Sequence, residues 1–279
     1  MDLTESIEIV CRTDTGQKRE HNEDAVGSDA SLGLAVLADG MGGYQAGEVA
    51  SAMAVDLILS HIKNQYQHIQ EDIDTGALTG TSPASSLIES AVLKANASIY
   101  SAAQSKSQYQ GMGTTAVVVM MHENLISIGH VGDSRLYRLR ENKLELLTED
   151  HSLVRELVRK GFYTEAEARE ATNKNVVTRA LGVADRVEPE VQEDMALLDD
   201  IYLLCSDGLN DMVEDKEIKN TLLRYGEDLE QAADQLIRLA NEMGGKDNIS
   251  AILLRPVRPF TTKLNWFGRV GKWFTEKND

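Results

Sequence analysis

Carboxylates in this chain stand where apolar, strand-like runs stop. LAVLA runs into Asp39-Gly40, LISIGHVG into Asp133, and IYLLCS into Asp207-Gly208, with Asp211 four residues on. Asp247 stands just before ISAILL, and Glu23-Asp24 follows Arg19 after a short gap. A carboxylate at a strand end is exposed on a rigid element and can be aimed. Several such ends converging make an oxygen-rich cage, which hard divalent cations such as Mg²⁺ or Mn²⁺ require. Two such cations close together can activate a water and neutralise a phosphate. One aspartate alone more often makes a turn or caps a helix. For Asp39, Asp207 and Asp247 together, ligation is the better reading, while Asp133 and Asp211 could instead be structural partners of the site.

The elements that must hold these groups follow from apolar periodicity. Residues 7–14 alternate as a strand, and 32–39 form a short buried-strand run bounded by glycine. Val49, Met53, Leu57, Ile58 and Ile62 recur at helical spacing, which predicts a long helix from Gly47 to about Ile69. A polar stretch over 71–83 reads as a surface loop, and a second helix is expected from about Ala84 to Lys106. Residues 114–121, 125–131 and 135–140 read as consecutive antiparallel strands. A charged helix is expected over 151–171 and a buried strand over 201–206. Helices near 214–225 and 228–243 precede a last strand over 249–254. Strands in two groups with helix pairs between them argue against a doubly wound parallel sheet. Two antiparallel sheets packed face to face, with helices outside, fit better.

Composition narrows the partners. With 279 residues the chain is long enough for one large domain. Its net charge of −17 argues against a nucleic-acid partner and suits a cation-binding enzyme. Cys11 and Cys205 form no metal-ligand spacing and no disulfide framework, which points to a reducing, cytoplasmic compartment. The N-terminal MDLTESIEIV lacks the features of a signal peptide. No window has the roughly 18 continuous apolar residues of a membrane span.

Seven short motifs then become specific by their order. They are R-x-x-N-E-D (Arg19, Asn22, Glu23, Asp24), D-G-M-G-G (Asp39 to Gly43) and G-M-G-T-T (Gly111 to Thr115). V-G-D-S-R (Val131 to Arg135), E-D-H-S-L-V (Glu149 to Val154), S-D-G-L-x-D (Ser206 to Asp211) and G-x-D-N-I-S (Gly245 to Ser250) follow. Over residues 7 to 254 this order resembles the metal-dependent serine/threonine protein phosphatases of the type 2C (PPM) family, most closely the bacterial branch. Any one motif is weak, but seven in the family's order are not a chance agreement.

The resemblance implies an α+β fold, an αββα sandwich of two antiparallel sheets flanked by helix pairs, with a binuclear metal centre between the sheets. It implies two tightly bound Mn²⁺ or Mg²⁺ ions and a third, weaker one. Asp39 would bridge the two metals, and the Gly40 carbonyl would ligate one of them. Asp207 and Asp247 would ligate the other, and Glu23 and Asp24 would hold water at the site. Asp133 and Asp211 match the positions of the weak third metal. Arg19 matches the residue that grips the substrate phosphate, and about Arg159 to Arg179 matches the flap beside the active site. The substrates implied are phosphoproteins, the products of a Ser/Thr kinase.

One departure is Met41, where many eukaryotic members carry a His that is a candidate general acid; methionine cannot donate a proton. His21 and His151 are the nearest His residues by motif and read mainly as structural. Asp150 reads as a helix N-cap, and Met112, Met120 and Met121 as core. A Cys-based phosphatase would need an Arg six positions after its nucleophile, but Gln17 follows Cys11 at that distance and Asp211 follows Cys205. A catalytically inactive phosphoprotein-binding module would be marked by loss of a metal carboxylate, and none of the core ones is missing.

The phosphatase domain is expected over 1–255, followed by a basic, aromatic, amphipathic tail over 256–279. Arg255 to Asp279 carries a net +4 against −21 for the 254 residues before it. Trp266, Phe267, Val270, Trp273 and Phe274 share one face of a helix. That face would dock on the domain, meet a protein partner, or lie on a membrane surface.

Overall fold

The computed structural model describes residues 2–42, 46–75, 82–122, 124–164, 167–168 and 176–258, with backbone alone over 67–75. Its strands are β1 (Ile7–Asp14), β2 (Asp24–Asp29), β3 (Leu34–Met41), β4 (Gly113–Thr114), β5 (Ala116–His122), β6 (Leu125–Val131), β7 (Arg135–Arg140), β8 (Lys143–Leu146), β9 (Glu190–Met195), β10 (Ile201–Cys205) and β11 (Ile249–Pro256). One sheet has the order β1-β11-β10-β7-β8, and the other β2-β3-β5-β6-β9, with β4 paired to β3. Every pairing between these strands is antiparallel.

Side-chain alternation builds three apolar layers. Along β3, Ala35 and Leu37 point between the sheets with Ile128, Tyr202, Leu204 and Ile252. Leu34, Val36 and Ala38 point the other way, onto helices α1 (Ala46–Thr75) and α2 (Pro83–Ser105). On the opposite sheet, Leu203, Cys205, Ala251 and Leu253 pack outward against the helices Asp215–Tyr225 and Leu229–Glu242. The result is the expected sandwich of two antiparallel sheets flanked by helix pairs. Met112, Met120 and Met121 are core residues, each at most 1% exposed.

Four expectations need correction. First, 135–140 does not continue the sheet of 125–131. At Gly132, with φ +106°, the chain crosses to the other sheet, where β7 pairs with β10 and β8. A Cβ there would sit 2.6 Å from the Thr115 side chain, so only glycine makes the crossing. Second, Asp39 lies inside β3 rather than at its end, because Gly40 and Met41 pair on with β4. Third, α1 runs through Thr75 into the stretch read as loop, whose residues 76–81 lie outside the described ones. Fourth, helix α3 spans only Leu153–Arg159, since Gly161 adopts φ +75° just beyond its end. Ser152 caps it rather than Asp150, which instead accepts both a 3.0 Å and a 2.7 Å bond from the Arg135 guanidinium.

β11 pairs with β1 as far as Pro256 opposite Ile7, one residue past the boundary read from the sequence. Residues 259–279, including the aromatic face of the tail, lie outside the described residues.

Candidate metal centre

The β2–β3 register sets Asp24 directly opposite Asp39. Like charges facing each other across a ladder destabilise it unless something compensates. Hydroxyls from the other sheet reach Asp24 Oδ2: Ser206 Oγ donates at 2.8 Å and Ser250 Oγ at 2.6 Å. Asp24 Oδ1 is buried without a hydrogen-bond partner. Burial outweighs the two hydroxyls and pushes Asp24 up to about 6.

The backbone of Asp39 is pinned from both sides. Its N–H donates to Thr115 Oγ1 at 3.0 Å, and its carbonyl accepts from Thr115 N–H and Thr114 Oγ1, each at 2.9 Å. Its carboxyl is held well above the usual range by burial and by repulsion from Asp24, Asp207, Asp133 and Asp247. Asp207, at the start of the short helix Asp207–Asn210, is pushed up to about 8 by burial, then by Asp133, Asp247, Asp211 and Asp24. Asp133 is pushed up to about 6 by burial, then by Asp150. Buried carboxylates that oppose one another's ionisation are relieved by an opposite charge among them.

Close backbone approach serves the same place. Gly40 N–H donates to the Glu23 carbonyl at 3.1 Å, and a Cβ on Gly40 would fall 2.2 Å from Gly47 O and 2.5 Å from Glu23 O. Asn248 holds the Glu23 segment. Its Oδ1 accepts from Glu23 N–H at 2.8 Å, and its Nδ2 donates to the carbonyls of Thr15 and His21 at 2.9 Å. Arg19 Nη2 donates to Asp247 Oδ2 at 2.7 Å, with about half of the Arg19 side chain exposed. Asp211 N–H donates to the Asp207 carbonyl at 2.8 Å.

Arg19, Glu23, Asp24, Asp39, Gly40, Asp133, Asp207, Asp211 and Asp247 therefore gather in one region, with carboxylates from both sheets. The sequence reading gave no role to Ser206, Ser250, Thr114, Thr115 or Asn248. Each lies inside or beside a quoted motif, and that adjacency was the available signal.

Two other groups are set aside by their chemistry. The Cys205 thiol is pushed up to about 12 by burial, opposite to what a thiolate nucleophile needs. His130, His151 and Glu190 offer ligand atoms within 4.8 Å of one another. Gly132 N–H donates to His151 Nδ1 at 3.1 Å, which leaves the ring proton on Nε2 and no lone pair there for a metal. His21 is exposed and meets Asn248 through its backbone carbonyl.

The profile of the family described as protein phosphatase 2C matches residues 14–253. The serine/threonine phosphatase stp of Listeria welshimeri is 39% identical over 246 residues, covering 87% of this chain and 93% of that protein. The solved serine/threonine phosphatase PstP/Ppp of Mycobacterium tuberculosis superposes with TM-score 0.78 at 34% identity, covering 91% of this chain and 100% of that one. The PstP catalytic domain in complex with two manganese ions superposes with TM-score 0.77 at 33% identity, covering 91% and 99%.

Proposed function

The chain belongs to the protein phosphatase 2C family, a metal-dependent protein serine/threonine phosphatase, and from its side chains we infer how it works. The observation that carries the reading is the facing pair Asp24 and Asp39, with a buried, unpartnered Asp24 Oδ1 and Asp207 and Asp133 adding to the repulsion. This all-oxygen donor set fits hard divalent cations. We propose Mn²⁺ or Mg²⁺, two bound tightly and a third more weakly.

When bound, such cations lower the pKa of a water and draw charge from the phosphoryl oxygens. Asp39, Asp207, Asp247 and the Gly40 carbonyl would hold the two tight ions, and Asp133 and Asp211 the weak one. Glu23 and Asp24 would orient water at the site. Arg19 offers a planar fork that matches two phosphate oxygens of the substrate, which lysine cannot reproduce. Met41 has no proton to give, so the leaving oxygen takes its proton from water.

The proposed substrates are proteins phosphorylated by a Ser/Thr kinase in the cytoplasm. No helix among the described residues is long and apolar enough to cross a membrane. Residues 1–255 are read as the phosphatase domain and 256–279 as an appended tail.

A phosphothreonine peptide tests the reading. Wild-type protein with Mn²⁺ should release phosphate and lose that activity in a chelator, and Asp39→Asn should release little. Full turnover in the chelator, after residual metal is excluded, overturns the metal mechanism. Peptide binding without phosphate release would mark the inactive module instead.

A further inference from the structure

His151 sits where two loops meet, and its side chain is 5% exposed. On one side is Gly132, the residue before Asp133. Gly132 N–H donates to His151 Nδ1 at 3.1 Å, and His151 N–H donates back to the Gly132 carbonyl at 2.9 Å. On the other side is the chain returning at Val176–Arg179. Thr178 N–H donates to the His151 carbonyl at 2.7 Å, Leu153 N–H donates to Val176 O at 2.9 Å, and Ser152 forms a bridge with Val177. Arg179 Nη1 and Glu190 Oε2 stand 3.3 Å and 3.5 Å from His151 Nε2. The His130 ring stacks on the other face, with centroids 4.6 Å apart.

The Gly132 contact selects one form of the ring, in which Nε2–H faces Glu190 Oε2 as its acceptor and the Arg179 guanidinium, a donor only, lies beside Nε2 without a hydrogen bond to it. A backbone N–H is an obligatory donor, so Nδ1 must be the acceptor and the ring proton must lie on Nε2. An imidazolium would set two donors head to head at Nδ1. Burial, then His130 and Arg179, hold the ring down to about 4, so it is neutral near pH 7. Gly132 has no side chain and adopts φ +106°. Its turn must therefore be held from outside, and the two-point clasp from His151 does this.

We propose that His151 is a positioning residue of this phosphatase: its Nδ1 fixes the Gly132–Asp133 turn against the returning segment Val176–Arg179, and so sets where the Asp133 carboxylate points. The proposal rests on the reading of Asp133 as a ligand to the weak metal. It also gives the E-D-H-S-L-V motif a role in the reaction that needs no proton transfer by His151.

Asparagine and glutamine separate the two ring nitrogens, because Asn Oδ1 falls near the place of His Nδ1 and a Gln amide near that of Nε2. His151→Asn, His151→Gln and His151→Ala are each measured for Gly132 amide exchange by NMR, for melting, and for the Mn²⁺ concentration giving half-maximal hydrolysis of an aryl phosphate. Loss of the Nδ1 acceptor should speed Gly132 exchange by about tenfold and raise the Mn²⁺ requirement in the Gln and Ala variants. The Asn variant should stay near wild type in both. Equal behaviour of Asn and Gln overturns the proposal, and that pair suffices if the Ala variant does not fold. Asp133→Ala is the separate control. A wild-type Mn²⁺ requirement there would overturn the ligand reading of Asp133, and with it the link from His151 to turnover.

Discussion

Asp24 and Asp39 are cross-strand partners in the β2–β3 ladder, in a region they share with Asp133, Asp207 and Asp247. The fold holds them there through backbone pairing, which the charges oppose. Without a cation, removing one charge should therefore relieve the protein. Asp39→Asn is expected to raise the melting temperature of the metal-free protein by a few degrees, each kcal/mol being worth about 2–4 °C in a domain near this size. The same variant should lose most of the stabilisation that Mn²⁺ gives the wild type. Calorimetry with and without metal reads both, and a metal-free variant that melts below wild type would refute the repulsion argument.

The same carboxylates predict a pH dependence. Asp207 at about 8, against an ordinary 3.8, binds its proton more tightly in the folded than in the unfolded chain. Such a group contributes stability fully below its unfolded value, and that contribution fades as pH rises to the folded value. His151, at about 4 against 6.5, runs the other way, its effect growing as pH falls from about 6.5. Above about pH 7 the unfolded-state imidazole is mostly neutral as well, so the interval from about pH 7 to 8 chiefly reports the acidic cluster. Metal-free protein should melt at progressively lower temperature across that interval, and saturating Mn²⁺ should remove the trend. A melting temperature that climbs with pH in the chelator would contradict the assignment.

Arg19 and Asp247 form an ion pair at 2.7 Å in which the Arg19 side chain is about half exposed. Exposed pairs contribute little to stability, so Arg19→Ala should leave the melting temperature nearly unchanged. As a phosphate clamp it would matter far more, since charge-assisted hydrogen bonds are worth roughly 1.5–3 kcal/mol. A loss of about tenfold or more in kcat/KM is expected, with bound metal nearly unchanged. Wild-type kinetics would reduce Arg19 to a surface charge.

The legible parts of this chain were those whose pattern is local. β6 and β10 are apolar along their length because they are covered on both faces, and their bounds were read from the sequence to within a residue. β2, DAVGSD, carries no such pattern and was missed. Its Gly27 lets the side chains of Val55 and Leu59 approach to within 2.7 Å of where a Cβ would be, so packing by α1 helps define the strand. β9, EVQEDM, is a polar edge strand identified by its partner β6. Periodicity could not assign β7 to a sheet, because a strand's own pattern does not name its neighbour. At the site, the carboxylates were visible as types at run ends. The Ser206 bond to Asp24 spans 182 residues, and no spacing in the sequence encodes it.

That bond gives another test. Ser206 Oγ and Ser250 Oγ both donate to Asp24 Oδ2 and tie one sheet to the other. Replacing both serines by alanine leaves a buried carboxylate with its Oδ2 donors gone, a change worth about 1–3 kcal/mol or more for a charged group. The double variant should lower the melting temperature of the metal-loaded protein and weaken Mn²⁺ binding, measured by titration calorimetry. Unchanged metal affinity would show that Asp24 needs no such support.

The last test falls at the C-terminal end of the described chain. β11 pairs with β1 through Pro256, Val257 N–H donates to Ser6 O at 2.9 Å, and Arg258 pairs with Glu5 at 2.6 Å. These contacts are in place by Arg258, and every proposed metal or phosphate ligand precedes it. A chain ending at Arg258 should therefore hydrolyse an aryl phosphate at close to the wild-type rate. The removed residues carry Trp266, Phe267, Trp273 and Phe274, and apolar surface left in water costs about 25 cal/mol per Å². If that surface docks on the domain, truncation should lower the melting temperature. If it lies on a membrane, the melting temperature should hold, and only the full chain should sediment with anionic vesicles, less so in salt. A severalfold loss of aryl phosphatase activity on truncation would instead place the tail within the catalytic unit and refute the boundary drawn near residue 255.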